Sequence, residues 1–293
     1  MAATLELTRA RADELRSEAF WRESFPELSI GLGPHNGAPA DPLAPAALAL
    51  ARERMRVDGY FQEADPGLSE LSPRLGDAVK RLVSQGIPPP FIFLFDEPWA
   101  SFRRLQPMLA ALLGEDYRVL PDFWAWHVDP TQEQHGWQPH RDKGVVGLAP
   151  DRTPLSLTVW IPLSVADPLN GCMYMLPAER DPLYGVSDDA RYRIDLQAIR
   201  ALPAAPGDYL CWNQAVLHWG ARSSRFADGP RLSMALEFQR GEARPFNTPL
   251  IEPGADLGFQ DRLRLVAKQI LQYRHMYPLG PALQALAEEI MRG

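Results

Sequence analysis

The sequence predicts a mainly β protein, an antiparallel jelly-roll core with helices flanking it at both ends. Three observations lead there. Apolar residues recur at helical spacing up to about residue 115, the period changes to two near Val119, and helical spacing returns beyond Pro253. No internal repeat and no long linker interrupts the chain, so one domain is expected. It divides into a helical N-terminal elaboration over residues 1–115, a β core over 116–245 and C-terminal helices over 246–293.

The elements follow in order. The amino terminus, "MAATLELTRARADELRSE", is charged and lacks the apolar run of a signal peptide. "IGLGPHNGAPADPLAP" is expected to be a loop with His35 solvated. Ser72 is expected to cap a helix with Pro73 at its first position, Leu75, Val79 and Leu82 on one face, and Gly86 at its end. "EPWASFRRLQPMLAALLG" places Trp99, Phe102, Leu105, Leu109 and Leu112 on one helical face, and Pro107 either kinks or divides it. "VLPDFWAWHV" then alternates, with Trp124, Trp126 and Val128 on one side and Phe123, Ala125 and His127 on the other. "LSLTVWIPLS" sets Leu157, Val159, Ile161 and Leu163 against Ser156, Thr158 and Trp160. "CMYML" follows an Asn170-Gly171 turn, read as a hairpin. "GDYLCW" and "RLSMALEFQR" add strands. Phe259, Leu263, Val266, Ile270 and Tyr273 make one helical stripe, and Leu283, Leu286 and Ile290 a shorter one.

Bulk properties narrow the function. A formal net charge of −7 argues against a nucleic-acid or anionic-membrane surface. No apolar run approaches the ~20 residues of a spanning helix. Cys172 and Cys211 are too few for a disulfide framework and fit a cytoplasmic protein, read most simply as two small buried side chains.

The chemistry begins at "GWQPHRDKG". His140 and Asp142, two apart, point the same way on an extended strand and could share a metal ion. A lone His-x-Asp is more often a surface hydrogen-bonded pair, so a third ligand is required. His218, in "AVLHWGARSS", stands at the end of a later strand that folding back would bring alongside. Two histidines and one carboxylate form a facial triad with open positions, suited to non-haem Fe(II) oxygen chemistry. Beyond it, Arg231, Ser233, Ala235 and Glu237 share one face of a strand. An arginine on the inner face of an apolar barrel is costly unless an anion meets it, and its fork beside a hydroxyl would clamp a carboxylate. His135 reads as a loop residue and His275 as a structural residue at a helix end.

These motifs resemble the phytanoyl-CoA dioxygenase family of Fe(II)/2-oxoglutarate oxygenases. "HRD", "VWIPLSVADPLNGCMYMLPAERD", "APGDYLCWNQAVLHWGARSS" and "PRLSMALEF" carry the resemblance. It runs from Asp58-Gly59-Tyr60 to Phe238 and is specific from Trp137 onward. It implies a cupin-like double-stranded β-helix, iron held by His140, Asp142 and His218, and 2-oxoglutarate and O2 as co-substrates. It further implies that Arg231, supported by Ser233, binds the distal carboxylate of 2-oxoglutarate, with Trp160 and His127 also near the co-substrate. "PAERD" replaces the family's usual "PGSH", so contacts from that loop do not carry over. Halogenating relatives lose the carboxylate ligand, whereas Asp142 is present, which favours hydroxylation.

Two other classes share parts of this pattern. A non-redox cupin-like isomerase or lyase would have no need of Arg231. A catalytically silent sensing protein would be expected to have lost a ligand, and all three are present. Trp124, Trp126, Trp137 and Trp219 suggest a small organic substrate with apolar surface, in preference to a CoA ester or a protein side chain.

Overall fold

The computed structural model describes residues 7–31, 41–186 and 193–293, so His35 and the first residues of the chain lie outside the described part. The N-terminal region supplies α1 (Arg9–Glu14), α2 (Glu18–Ser24), α3 (Pro45–Val57), β1 (Tyr60–Ala64), α4 (Pro66–Ser84), α5 (Asp96–Arg104) and α6 (Gln106–Leu113). Helix α4 starts earlier than Ser72. Asp65 caps it by accepting the Gly67 N–H at 2.7 Å, and Pro66 takes the first turn that the sequence reading gave to Pro73. Ser72 is instead buried in mid-helix, on the face that carries Leu75, Val79 and Leu82 inward. Two Pro-containing starts compete here, and the aspartate gives the upstream one its cap. Gly86 closes the far end at φ +72°, and Pro107 divides α5 from α6.

The β region contains β2 (Arg118–Val128), β3 (Ser156–Pro162), β4 (Met173–Leu176), β5 (Arg200–Leu202), β6 (Asp208–Asn213), β7 (Leu217–Gly220) and β8 (Arg231–Gln239). Among the described residues they form two antiparallel sheets, one in the order β1-β6-β3-β8-β2 and one in the order β5-β4-β7. Asn170-Gly171 therefore does not close a hairpin. Its turn carries the chain from β3 in the larger sheet to β4 in the smaller. Asn170 donates to Val165 O and accepts from Asp167 N, and Gly171 at φ +87° lies so close to Ala221 O that a Cβ would sit 2.4 Å from it. Helices α7 (Phe259–Gln272) and α8 (Pro281–Arg292) complete the chain. Helical residues outnumber strand residues, so the expected mainly β class is corrected to a mixed α/β one, because helices dominate both flanks of the sheets.

The alternation in β3 and β8 explains where the core lies. Leu157, Val159, Ile161, Leu232, Met234, Leu236 and Phe238 face outward from the larger sheet into one apolar cluster with residues of all the long helices. Trp160, Leu210, Trp212 and Ala235 face the other way and meet Met173 and Met175 of the smaller sheet in a second cluster. The two cysteines are buried and unpaired. No helix among the described residues is long and apolar enough to cross a membrane.

Candidate metal centre and its cavity

His218 lies on β7, and the backbone of His140 joins that strand on its free side. His140 N donates to His218 O, and His218 N donates to His140 O, each at 3.0 Å. Lys143 N and Gly144 N both donate to Gln214 O, which fixes the turn carrying Asp142. Ligand atoms of His140, Asp142 and His218 consequently lie within 4.8 Å of one another. Asp142 Oδ1 is 3.2 Å from His140 Nε2 and 3.5 Å from His218 Nε2.

Each of the three is oriented from behind. His140 Nδ1 lies 2.7 Å from Gln138 O and His218 Nδ1 lies 3.1 Å from Val216 O, so both Nδ1 atoms carry the proton and both Nε2 lone pairs face inward. Asp142 Oδ2 accepts from Thr158 Oγ1 at 2.7 Å and from Trp212 Nε1 at 3.0 Å, which leaves Oδ1 for the centre. Gln214 donates to Thr158 Oγ1 and so sets the direction of that hydroxyl. Burial pushes His218 down to about 4, against the pull of Asp142, so its ring is neutral at neutral pH. Burial also opposes the charge on Asp142, but His218, His140 and the Thr158 hydrogen bond hold it below the ordinary carboxylate range. His140 is raised, its burial outweighed by Asp142. His140 Nε2 is buried and faces Asp142 Oδ1 at 3.2 Å. Two imidazoles and one carboxylate whose ligand atoms converge in this way fit a divalent transition metal.

Arg231 enters the same cavity from β8. Its side chain is 1% exposed, its Nη1 donates to Ser233 Oγ at 2.9 Å, and it stands 5.9 Å from the ring of Trp160. Among the described residues no carboxylate pairs with it, and its Nε is buried without a partner. Burial lowers its pKa to about 10. Gly136 and Gly220 make room for it: a Cβ on either would fall within 3.0 Å of Nη2. Trp160, Trp126 and Met173 line the cavity beside it.

His127 is not brought to this cavity. Period-two alternation turns Asp122, Trp124 and Trp126 of β2 inward and His127 outward, where it lines a separate cleft with Ile87, Gln134 and Leu279. Trp126 holds the inward position that the resemblance had suggested for His127. His135 lies in the same outer cleft and bridges to Arg222, and His275 is exposed at the end of α7.

Sequence reasoning missed several groups. Thr158, Trp212 and Gln214 support Asp142, and the sequence had set Thr158 only on the face of its strand opposite Leu157 and Val159. Glu237 faces the cavity as the alternation of β8 requires, and Lys143 Nζ lies 3.0 Å from its Oε2 and 3.8 Å from Asp122 Oδ2. Burial raises Glu237 to about 8 in spite of Lys143. Tyr273 reaches the cavity from α7 through a tertiary docking that no local pattern signals. In the departed "PAERD" loop, Asp181 forms an ion pair at 2.7 Å with Arg141, the residue between the two ligands, and both side chains are fully buried.

Comparison with known proteins agrees with this architecture. The family model for phytanoyl-CoA dioxygenase matches residues 39–227. No curated protein is matched by sequence. A nickel complex of the non-heme monooxygenase ThoJ is 18% identical, with 83% of this chain and 100% of that chain covered and a TM-score of 0.55. EctD from S. alaskensis with bound Fe is 17% identical, with 87% and 96% covered and a TM-score of 0.51. EctD with 2-oxoglutarate and 5-hydroxyectoine is 18% identical, with 75% and 86% covered and a TM-score of 0.50. At these identities the likeness establishes a shared fold. The family match spans more than half of the chain and takes in both ligand segments, and the chain therefore belongs to the phytanoyl-CoA dioxygenase family.

Proposed function

We propose that this chain is an Fe(II)- and 2-oxoglutarate-dependent dioxygenase. It hydroxylates an unactivated C–H bond of a small organic substrate and releases succinate and CO2. The two antiparallel sheets are read as a double-stranded β-helix, or jelly roll, within one domain. One observation carries the reading: a buried arginine with no carboxylate partner among the described residues shares a cavity with a two-histidine, one-carboxylate triad.

His140 Nε2, Asp142 Oδ1 and His218 Nε2 would hold the iron. When bound, iron(II) together with 2-oxoglutarate would supply the electrons that activate dioxygen toward a C–H bond. The protein's residues do the rest. Arg231 and Ser233 present N–H and O–H donors to the far carboxylate of the co-substrate, which fixes its approach to the triad. Trp160 walls that subsite, and Trp126, Trp137 and Met173 keep water from it. Thr158 and Trp212 hold Asp142 ionised and aimed.

A non-redox isomerase or lyase on the same scaffold leaves Arg231 without a purpose, and its desolvation without compensation. Binding of 2-oxoglutarate to the Ni(II)-loaded protein, followed by calorimetry, tests the assignment. Arg231→Ala should weaken it by about a hundredfold or more, the scale of losing a buried charge-assisted pair. Unchanged affinity would remove Arg231 from this role.

A further inference from the structure

Strand β8 runs along the cavity, and its two ends differ in charge. Arg231 stands at one end, and Glu237 stands three inward positions further, roughly 20 Å along the strand. Glu237 faces Thr158 across the β3–β8 pairing, and Thr158 holds Asp142, so the acidic end lies beside the triad. Its side chain is 10% exposed, and its one ion-pair partner among the described residues is Lys143. Asp122 lies next to it. Its Oδ1 accepts from Asn247 Nδ2 at 2.7 Å and Gln272 Nε2 at 2.9 Å, while its Oδ2 has only the distant Lys143. Lys268, half-buried and within the field of Asp122, donates to Asn247 Oδ1 at 2.7 Å and does not line the cavity.

The charges can be balanced group by group. Iron(II), the Asp142 carboxylate, dianionic 2-oxoglutarate and Arg231 cancel. Asp122 and Glu237 share Lys143 as their one ion-pair partner among the described residues, so the two acids have a single ammonium between them. Burial holds Glu237 toward its protonated form in the empty site, and a cationic ligand beside it would favour the ionised one. The neighbouring wall is aromatic. Tyr273 lies 5.2 Å from Trp124 and 4.9 Å from Trp137, and all three rings line this cavity. Their faces attract cations.

We propose that the substrate carries one positive charge, an ammonium or comparable organic cation, held by Glu237 with Asp122 beside it and packed against Trp124, Trp137 and Tyr273. The proposal deepens the oxygenase reading and rests on it for the charge balance of the loaded site. Carbon atoms close to the cation then lie nearest the triad, so oxidation is directed to that part of the molecule.

Matched probes test this: butylammonium, 1-butanol and butyrate, titrated while tryptophan fluorescence is followed. The titrations use the metal-free protein, in which Asp142 and Arg231 offset each other, and the protein loaded with Ni(II) and 2-oxoglutarate. Butylammonium should bind at least about tenfold more tightly than the alcohol in both, with butyrate weakest. Glu237→Gln should remove the preference without changing 2-oxoglutarate affinity, and Asp122→Asn should reduce it. Equal or tighter binding of the alcohol, no binding of the ammonium, or a preference that survives Glu237→Gln overturns the proposal. Failure of 2-oxoglutarate to bind counts against the oxygenase reading alone, because the metal-free titration still reports the preference for a cation.

Discussion

Asp142 shows how much the site depends on single atoms. Its Oδ2 is taken by Thr158 and Trp212, which leaves Oδ1 between two imidazole nitrogens. Asp142→Ala should abolish metal-dependent succinate formation, and undiminished product would exclude Asp142 as a ligand. Thr158→Val keeps the shape but removes the hydrogen bond, and should weaken metal affinity by about 10–100-fold, as measured by competition with a chelator. His127→Ala should leave 2-oxoglutarate affinity unchanged, since the residue faces the other side of β2. The triad and Arg231 were legible in the sequence because their types and spacing are chemically unusual. Which residues share a face of each strand was legible too, and His127 follows the alternation of its own strand where the resemblance had suggested otherwise. Thr158 and Trp212 were not legible as partners of Asp142, since their roles depend on which strands become neighbours.

Among the elements, β2 shows the least regular pairing. Its register with β8 shifts between Val119 and Phe123, around Pro121, which lacks the N–H a ladder needs. Helix α7 compensates. The buried Gln269 accepts from Phe123 N at 3.2 Å and donates to Pro121 O. Asp122 lies within this irregular stretch and lines the cavity. Gln269→Ala should destabilise the fold by about 1–3 kcal/mol, the cost of leaving such groups unsatisfied, as read from the midpoint of chemical denaturation. An unchanged midpoint would show that water replaces the amide. Strands and helices were visible as changes of period, whereas connections were not. Asn170-Gly171 carries a strong hairpin signal, yet the fold uses its positive φ to pass between sheets. Ser72-Pro73 has the local chemistry of a helix start, but Asp65-Pro66 has it as well and comes first.

Across the whole molecule, helices from both ends of the chain cover the outer face of the larger sheet and leave its inner face to the cavity. Buried ion pairs tie distant parts together: Arg262 of α7 to Asp96 of α5 at 2.6 Å, and Arg141 to Asp181 at 2.7 Å. Breaking the second pair strands a buried guanidinium between the two candidate ligands His140 and Asp142. Asp181→Ala should therefore cost about 3–5 kcal/mol of stability, measured by thermal or chemical denaturation, and should lower metal affinity as well. The general plan of helices, sheets and helices was legible from periodicity alone, but its balance was not, because the strands are short and the flanking helices many. The central claim is that the triad and Arg231 together bind iron and 2-oxoglutarate. Anaerobic titration of the metal-free protein with Fe(II) and 2-oxoglutarate tests it most directly, through the weak visible charge-transfer band of the chelate. The band should appear in the wild type and require higher 2-oxoglutarate in Arg231→Ala. Fe(II) binding without the band would contradict the account and favour a metal site with no oxygenase chemistry.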